Sequence, residues 1–262
     1  MTFAREPAVA GSFYPADPRE LNSLLDALLA EAATDEPPPK ALIAPHAGYI
    51  YSGPVAASAY ASLVPVADQI TRVVLLGPAH RKAFRGLAAS SASSFRTPLG
   101  RVPLDREAIT RILELPQVHV DDAAHAMEHS LEVHLPFLQH QLSHFALVPL
   151  VVGEAASSEV AAVIEQLWGG DETLLVISSD LSHYLDYASA QARDTATSRA
   201  IESLAFEDIG YEDACGRNPV SGLLHYAREH GLHIKTVDLR NSGDTAGPRD
   251  QVVGYGSYLL GG

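Results

Sequence analysis

An α/β/α sandwich with a largely parallel central sheet, formed by a single domain over residues 1–262, is the fold class the sequence predicts from three observations. Six short apolar runs, at 41–44, 73–76, 146–152, 174–177, 234–239 and 252–260, are bounded mostly by Gly, Pro, Ser or Asp. Such uninterrupted apolarity suits strands covered on both faces. Helical patterns lie between them, at roughly 54–63, 105–114, 130–142, 157–168, 188–205 and 219–229, and this alternation is the signature of βαβ units. No repeat, heptad or low-complexity tail marks a second unit, and 262 residues, 47% of them hydrophobic, supply one large core.

Each element has local support. Asp17 is placed as the N-cap of the first helix, with Pro18 at its first position and Glu20 completing a capping-box pattern. Leu21, Leu24, Leu25, Leu28 and Leu29 then follow the helical period, and the segment 34–40, "TDEPPPK", closes the helix as a loop. Residues 90–105 read as a hairpin or surface excursion. In 130–142, Leu131, Leu135, Leu138 and Leu142 form a core-facing stripe, while Pro136 argues against one long regular helix. For the helix at 219–229, Asn218 is the expected N-cap, Pro219 lies in the first turn and Gly231 is at the C-cap position.

Composition narrows the function. A net charge of −14 repels phosphate backbones and anionic membranes, so neither nucleic acid nor membrane is an expected partner. No run reaches the ~20 apolar residues of a membrane span. The N-terminus lacks a signal-peptide core, and Cys215 is the only cysteine, so a cytoplasmic location is expected.

The chemistry-bearing residues gather where strands are expected to end. Run 41–44 is followed by Pro45-His46, run 73–76 by "GPAHR" with His80, and run 174–177 by "SSDLSHY" with Asp180 and His183. In parallel α/β sheets ligands bind beyond the carboxyl ends of the strands, so these residues can share one rim. Cys215 precedes a helix N-terminus, where backbone donors and the dipole favour a thiolate. Two imidazoles and a thiolate suit iron, copper or zinc and leave positions open for substrate. His183, with Asp180 three residues before it, fits an acid/base whose tautomer the carboxylate sets. Taken singly, each histidine is more often a surface or satisfied core residue, Cys215 more often a small hydrophobe, and Asp180 can equally be the cap of a helix starting near Leu181; the same feature at three strand ends is what favours function.

A second patch, 125–140, spaces His125 and His129, and likewise Glu128 and Glu132, four apart. That spacing can bind metal on a helix, but the order is not that of zinc proteases, and His129 and Glu132 are better placed as substrate-pocket contacts. Tyr49, Tyr51 and Tyr184 either wall the pocket or pack in the core. The stretch 243–247, "GDTAG", is a rim loop or a plain turn.

In this order, "AGSFYP", "APHAGYIYSG", "LLGPAHR", "EHSLEVHLPFL", "ISSDLSHY" and "CGRNPVSGLL" resemble the Memo family, with "VVGYGSY" near the end also fitting. The resemblance implies a single Memo-like domain similar in fold to the class III extradiol ring-cleavage dioxygenases. It implies a redox metal held at the positions of His46, His80 and Cys215, iron(II) before copper and copper before zinc. His183 matches the acid/base histidine, with Asp180 beside it. The dioxygenases use a carboxylate where this chain has Cys215, so ring cleavage does not carry over. Animal members are described as phosphotyrosine-peptide readers, a role that a net charge of −14 and the lack of an arginine cluster speak against here. Microbial relatives tend to be encoded beside a radical-SAM enzyme and a small partner protein, the implied partners.

The expectation is therefore a non-haem iron-dependent oxidoreductase acting on a small organic molecule, with Tyr49, His129 and Glu132 as substrate contacts. The alternative is a non-catalytic metal- or peptide-binding protein working with partners; a zinc hydrolase is a third reading.

Overall fold

The computed structural model describes residues 3–32 and 36–261, so Thr34 and Asp35 of the expected 34–40 loop lie outside the described residues. In chain order the elements are β1 (Ala4–Arg5), α1 (Pro18–Glu31), β2 (Ala41–Ala44), α2 (Tyr49–Tyr60), β3 (Arg72–Pro78), β4 (Leu87–Ala89), β5 (Ser94–Thr97) and β6 (Gly100–Pro103). There follow α3 (Arg106–Ile112), β7 (Val118–Val120), α4 (Asp122–Ala126), α5 (Leu135–Gln141), β8 (Ala146–Val152), α6 (Ser157–Leu167), β9 (Thr173–Ser178) and β10 (His183–Leu185). The chain ends with α7 (Tyr187–Glu202), α8 (Arg217–Glu229), β11 (His233–Asn241) and β12 (Val252–Gly261).

A nine-stranded sheet in the order β10-β12-β2-β9-β3-β8-β4-β7, with β11 also paired to β12, forms the centre. The expected parallel core is the run β2-β9-β3-β8. Its strands are almost wholly buried, which explains their unbroken apolarity. The flanks turn antiparallel through β12, β11, β10 and the β8–β4 pair. β11 differs from the run expected at 234–239: it is only partly buried and carries Lys235 and Asp238. α1, α2 and α5 pack together as one layer, and α3, α6 and α8 as another. The 90–105 excursion is the β5–β6 hairpin, with β1 added as a parallel third strand.

Boundaries move where a cap competes with the periodicity. α1 is capped as expected, Asp17 accepting from the N–H groups of Arg19 (2.8 Å) and Glu20 (3.1 Å). α2 begins at Tyr49 rather than 54, directly after the His46 loop, with Pro54 inside it. The 130–142 pattern divides into a single 3-10 turn at Glu132–His134 and α5, whose first turn takes Pro136. α8 starts at Arg217, two residues before the expected 219, with Gly216 at the N-cap. Asn218 is thus inside the helix and donates instead to the Gly153 carbonyl (2.8 Å).

One buried ion pair fastens the N-terminal segment to this frame. Arg5 and Glu132, 5% and 0% exposed, are hydrogen-bonded to each other. Arg5 also donates to the carbonyls of His125 (3.1 Å) and Glu128 (2.5 Å). Glu132 accepts from the N–H groups of Ala8 (2.7 Å) and Val9 (3.0 Å) and from the Tyr14 hydroxyl (2.6 Å). Removing one partner strands the other charge in the interior, which costs roughly 3–5 kcal/mol. We therefore expect Glu132→Ala to lower the unfolding free energy by about that amount, measured by urea denaturation. A change below ~1 kcal/mol would contradict the anchoring role.

Candidate metal centre

β2 stops at Ala44 because Pro45 has no N–H to continue the ladder, and His46 follows at once. β3 runs to Pro78, two residues before His80, and β9 ends at Ser178, two residues before Asp180. Because β9 lies between β2 and β3, the three tips sit side by side at the carboxyl edge of the parallel core. Cys215 joins them through its N–H, which donates to the Asp180 carbonyl (3.2 Å), and through the Gly216 N–H, which donates to Ser179 Oγ (3.0 Å). A Cβ on residue 216 would lie 2.4 Å from the Ser178 carbonyl oxygen, so the close approach requires glycine.

The outcome is a compact cluster. The ligand-type atoms of His46, His80 and Cys215 all lie within 4.8 Å of one another, and Cys215 Sγ is 3.3 Å from His46 Nε2. The three residues singled out by the resemblance therefore come together, from three separate stretches of chain.

Hydrogen bonding fixes which nitrogens face the cluster. The single hydroxyl proton of Ser178 goes to the Ser130 carbonyl (2.6 Å), so Ser178 Oγ can only accept from His46 Nδ1 (2.6 Å). His46 thus carries its proton on Nδ1 and keeps a lone pair on Nε2, beside the sulfur. His80 Nδ1 is 2.9 Å from Glu128 Oε1, and the His80 N–H donates to Oε2 (2.6 Å). A carboxylate holding one imidazole nitrogen leaves the other free to ligate. Glu128 also accepts from the N–H groups of His129 (2.9 Å) and Ser130 (3.0 Å). Burial pushes its carboxyl up, but the hydrogen bond and charge of His80, with the backbone donors, outweigh this and hold it at about 2.

Burial, then the neighbouring His80 and His129, hold His46 well below the ordinary imidazole range. Burial, then the Asp180 charge, push the Cys215 thiol up, which reverses the thiolate expected from the helix N-terminus. Desolvation and a nearby carboxylate outweigh the dipole here. The His46 lone pair, the His80 imidazole held by Glu128 and the Cys215 sulfur, beside the buried carboxylates of Asp180 and Glu128, are a donor set that a cation would complete, so the residues fit a transition metal.

Asp180 is buried and its carboxylate accepts from the His46 N–H (2.7 Å), while its own N–H donates to Cys215 Sγ (3.3 Å). It braces the two ligand loops rather than orienting His183, whose Nδ1 bonds the Leu181 carbonyl (2.8 Å). His183 is exposed, on the short strand that pairs with β12. Tyr51 and Tyr184, 39% and 71% exposed, lie close enough to buried Tyr255 to raise its hydroxyl, after burial and Asp180.

Two expected substrate contacts are corrected. Glu132 has its lone pairs taken by Arg5, Ala8, Val9 and Tyr14 and does not reach the cluster. Tyr49 is buried against Phe137 (5.0 Å) with its hydroxyl on the Val133 carbonyl (2.5 Å), so it is core. His129 does come to the cluster, its ring 4.7 Å from that of His80 and 5.5 Å from that of His46. Its four-residue partner does not: α4 ends at Ala126, and His125 is buried with Nε2 on the Ala88 carbonyl (2.9 Å). Stretch 243–247 begins as a 3-10 turn capped by Asn241, whose side chain accepts from Gly243 (2.9 Å). Sequence reasoning misses Ser178 and Glu128 as orienting groups, because their partners are 132 and 48 residues away.

Comparison with known proteins agrees with the sequence resemblance. The family model for Memo-like proteins matches residues 5–259. A MEMO1 family protein of Aquifex aeolicus is 39% identical over 264 residues, covering 96% of this chain and 97% of the relative. One from Archaeoglobus fulgidus is 36% identical over 271 residues (98% and 99%), and one from Sulfolobus acidocaldarius 33% over 282 residues (98% and 99%). Among solved structures, an uncharacterized protein of Escherichia coli K12 aligns with a TM-score of 0.51 over 84% of this chain and 98% of that one; at 14% identity the likeness is one of fold.

The buried histidines give stability a pH dependence. Burial holds His125 and His129 at about 4 and His134 at about 3, against ~6.5 in an unfolded chain. Below pH ~6.5 the unfolded state therefore takes up protons that the folded state refuses, and stability falls as pH drops towards the folded values. Between about 4.5 and 2 the loss of ionised Glu128 acts in the same direction. We expect urea midpoints to decrease steadily from about pH 7 to pH 4.5; a flat profile would contradict neutral buried imidazoles.

Proposed function

The chain belongs to the Memo-like protein family, and from that premise we propose that it holds one transition-metal ion through His46, His80 and Cys215 and serves as a metal-dependent oxidoreductase for a small organic molecule. The observation that carries this reading is the convergence of three ligand atoms within 4.8 Å, two of them on imidazoles whose other nitrogen is held by Ser178 or Glu128. Iron(II) is the ion we favour, ahead of copper and zinc, because a thiolate with two imidazoles accepts all three and iron(II) suits oxygen chemistry. Bound there, the ion would supply Lewis acidity and electron transfer.

The chain's own groups do the rest. Asp180 keeps the His46 and Cys215 loops in register. His183, with Nδ1 committed to the Leu181 carbonyl, has Nε2 to take or give a proton at the open edge of the site. Tyr51 and Tyr184, exposed and near Tyr255 and Asp180, would be met by a substrate approaching from that side.

Protein purified anaerobically, without chelators or affinity-column metals, is expected to carry about one ion per chain. After cobalt(II) substitution, a sulfur-to-metal absorption band should appear and vanish in Cys215→Ser and in His46→Ala. Ser178→Ala should weaken formation of that band by about 10–100-fold, the usual effect of losing the group that orients a ligating histidine. Iron(II)-loaded protein should consume oxygen with a member of a small-molecule panel, and His183→Ala should abolish it. Stoichiometric metal with no oxygen uptake on any panel member would overturn the catalytic reading in favour of a binding protein.

A further inference from the structure

His80 belongs to a second group that excludes the thiol. Ligand-type atoms of His80, Glu128 and His129 also lie within 4.8 Å of one another. Glu128 Oε1 is 2.9 Å from His80 Nδ1 and 3.5 Å from His129 Nδ1, and the two rings stack at 4.7 Å with 20° between their planes. His129 Nδ1 is buried and has no hydrogen-bond partner. An orphaned buried nitrogen beside a carboxylate needs an explanation, and the packing of Phe13 on the His129 ring (4.9 Å) gives the atom none.

We propose that His80, Glu128 and His129 form a second cation position, alternative to the His46–His80–Cys215 position and selective for harder ions such as manganese(II). Two imidazoles and one carboxylate are an oxygen- and nitrogen-donor set that suits manganese(II), whereas a thiolate favours the softer iron(II), copper and zinc. The two positions cannot fill together while His80 stays neutral. A neutral imidazole has one lone pair, on Nε2 when Glu128 holds the Nδ1 proton and on Nδ1 when that proton has moved through water to Nε2. The carboxylate that orients His80 for the thiolate position thereby becomes a ligand at the other. His80 is the shared hinge, and the ion's preference for sulfur or oxygen selects the side.

The test is manganese(II) titration of the full-length chain by calorimetry, with folding of each variant checked by circular dichroism. Cys215→Ser should bind one manganese(II) within about threefold of the wild-type affinity, and adding His129→Ala should weaken that binding at least ~10-fold. Zinc(II) loaded first into the wild-type chain should block manganese(II). The proposal is overturned if Cys215→Ser loses manganese(II) altogether, if His129→Ala leaves it unchanged, or if zinc(II) and manganese(II) bind at once. None of these outcomes touches the cobalt–thiolate band, which reports the His46–His80–Cys215 position by itself.

Discussion

Parallel pairing of β2, β9 and β3 in that order is the constraint on which the site depends. The registers place Ala44 opposite Ser178 and Leu76 opposite Ile177, so the neighbouring chains leave the sheet at nearly the same level. A loop of only two residues then sets His46, His80 and Asp180 close together without a long excursion. Short loops from rigid strands hold side chains with less conformational freedom than a flexible loop could. The Cys215 segment is the one part that must be carried in from elsewhere, and it is held by main-chain and serine hydrogen bonds to the β9 tip.

Around that frame the buried carboxylates each have a defined task. Two glutamates four residues apart do different work. Glu128 turns to His80, while Glu132 turns the other way to Arg5 and the N-terminal segment. Buried carboxylates are tolerable only when fully hydrogen-bonded, and each of these has four donors around it. The unpartnered nitrogen of His129 differs from those of His125 and His134 in lying beside Glu128, 3.5 Å from its Oε1. A cavity of about 630 Å³ beside Gln191, Thr195 and Leu239 shares no residue with the metal-type cluster, so cavity size alone does not locate the site.

The layered α/β architecture and the residues at the strand ends are legible in the sequence, because a proline, glycine or serine break after an apolar run is a local signal. His46 and His80 sit at such breaks. The orienting groups are not legible. The His46–Ser178 bond closes over 132 residues and the His80–Glu128 bond over 48, and periodicity says nothing about such pairings. Glu132 and Tyr49 depart from expectation for the same reason: nearness along the chain to pocket residues does not tell which way a side chain turns. Antiparallel β12 resembles a core strand in composition and only its pairing separates it from the parallel centre, whereas Lys235 and Asp238 set β11 apart. At Cys215 burial, and then the charge of Asp180, 35 residues away, oppose the thiolate that a local dipole argument favours.

The Arg5 guanidinium grips the carbonyls of His125 and Glu128 as well as the Glu132 carboxylate. The segment that presents Glu128 and His129 is consequently tied to the first strand of the chain. Any fluctuation that detaches that strand also slackens the grip on His80, more than seventy positions downstream. Arg5 thereby couples the two regions, so the order of the cluster depends in part on a residue that is not one of its ligands.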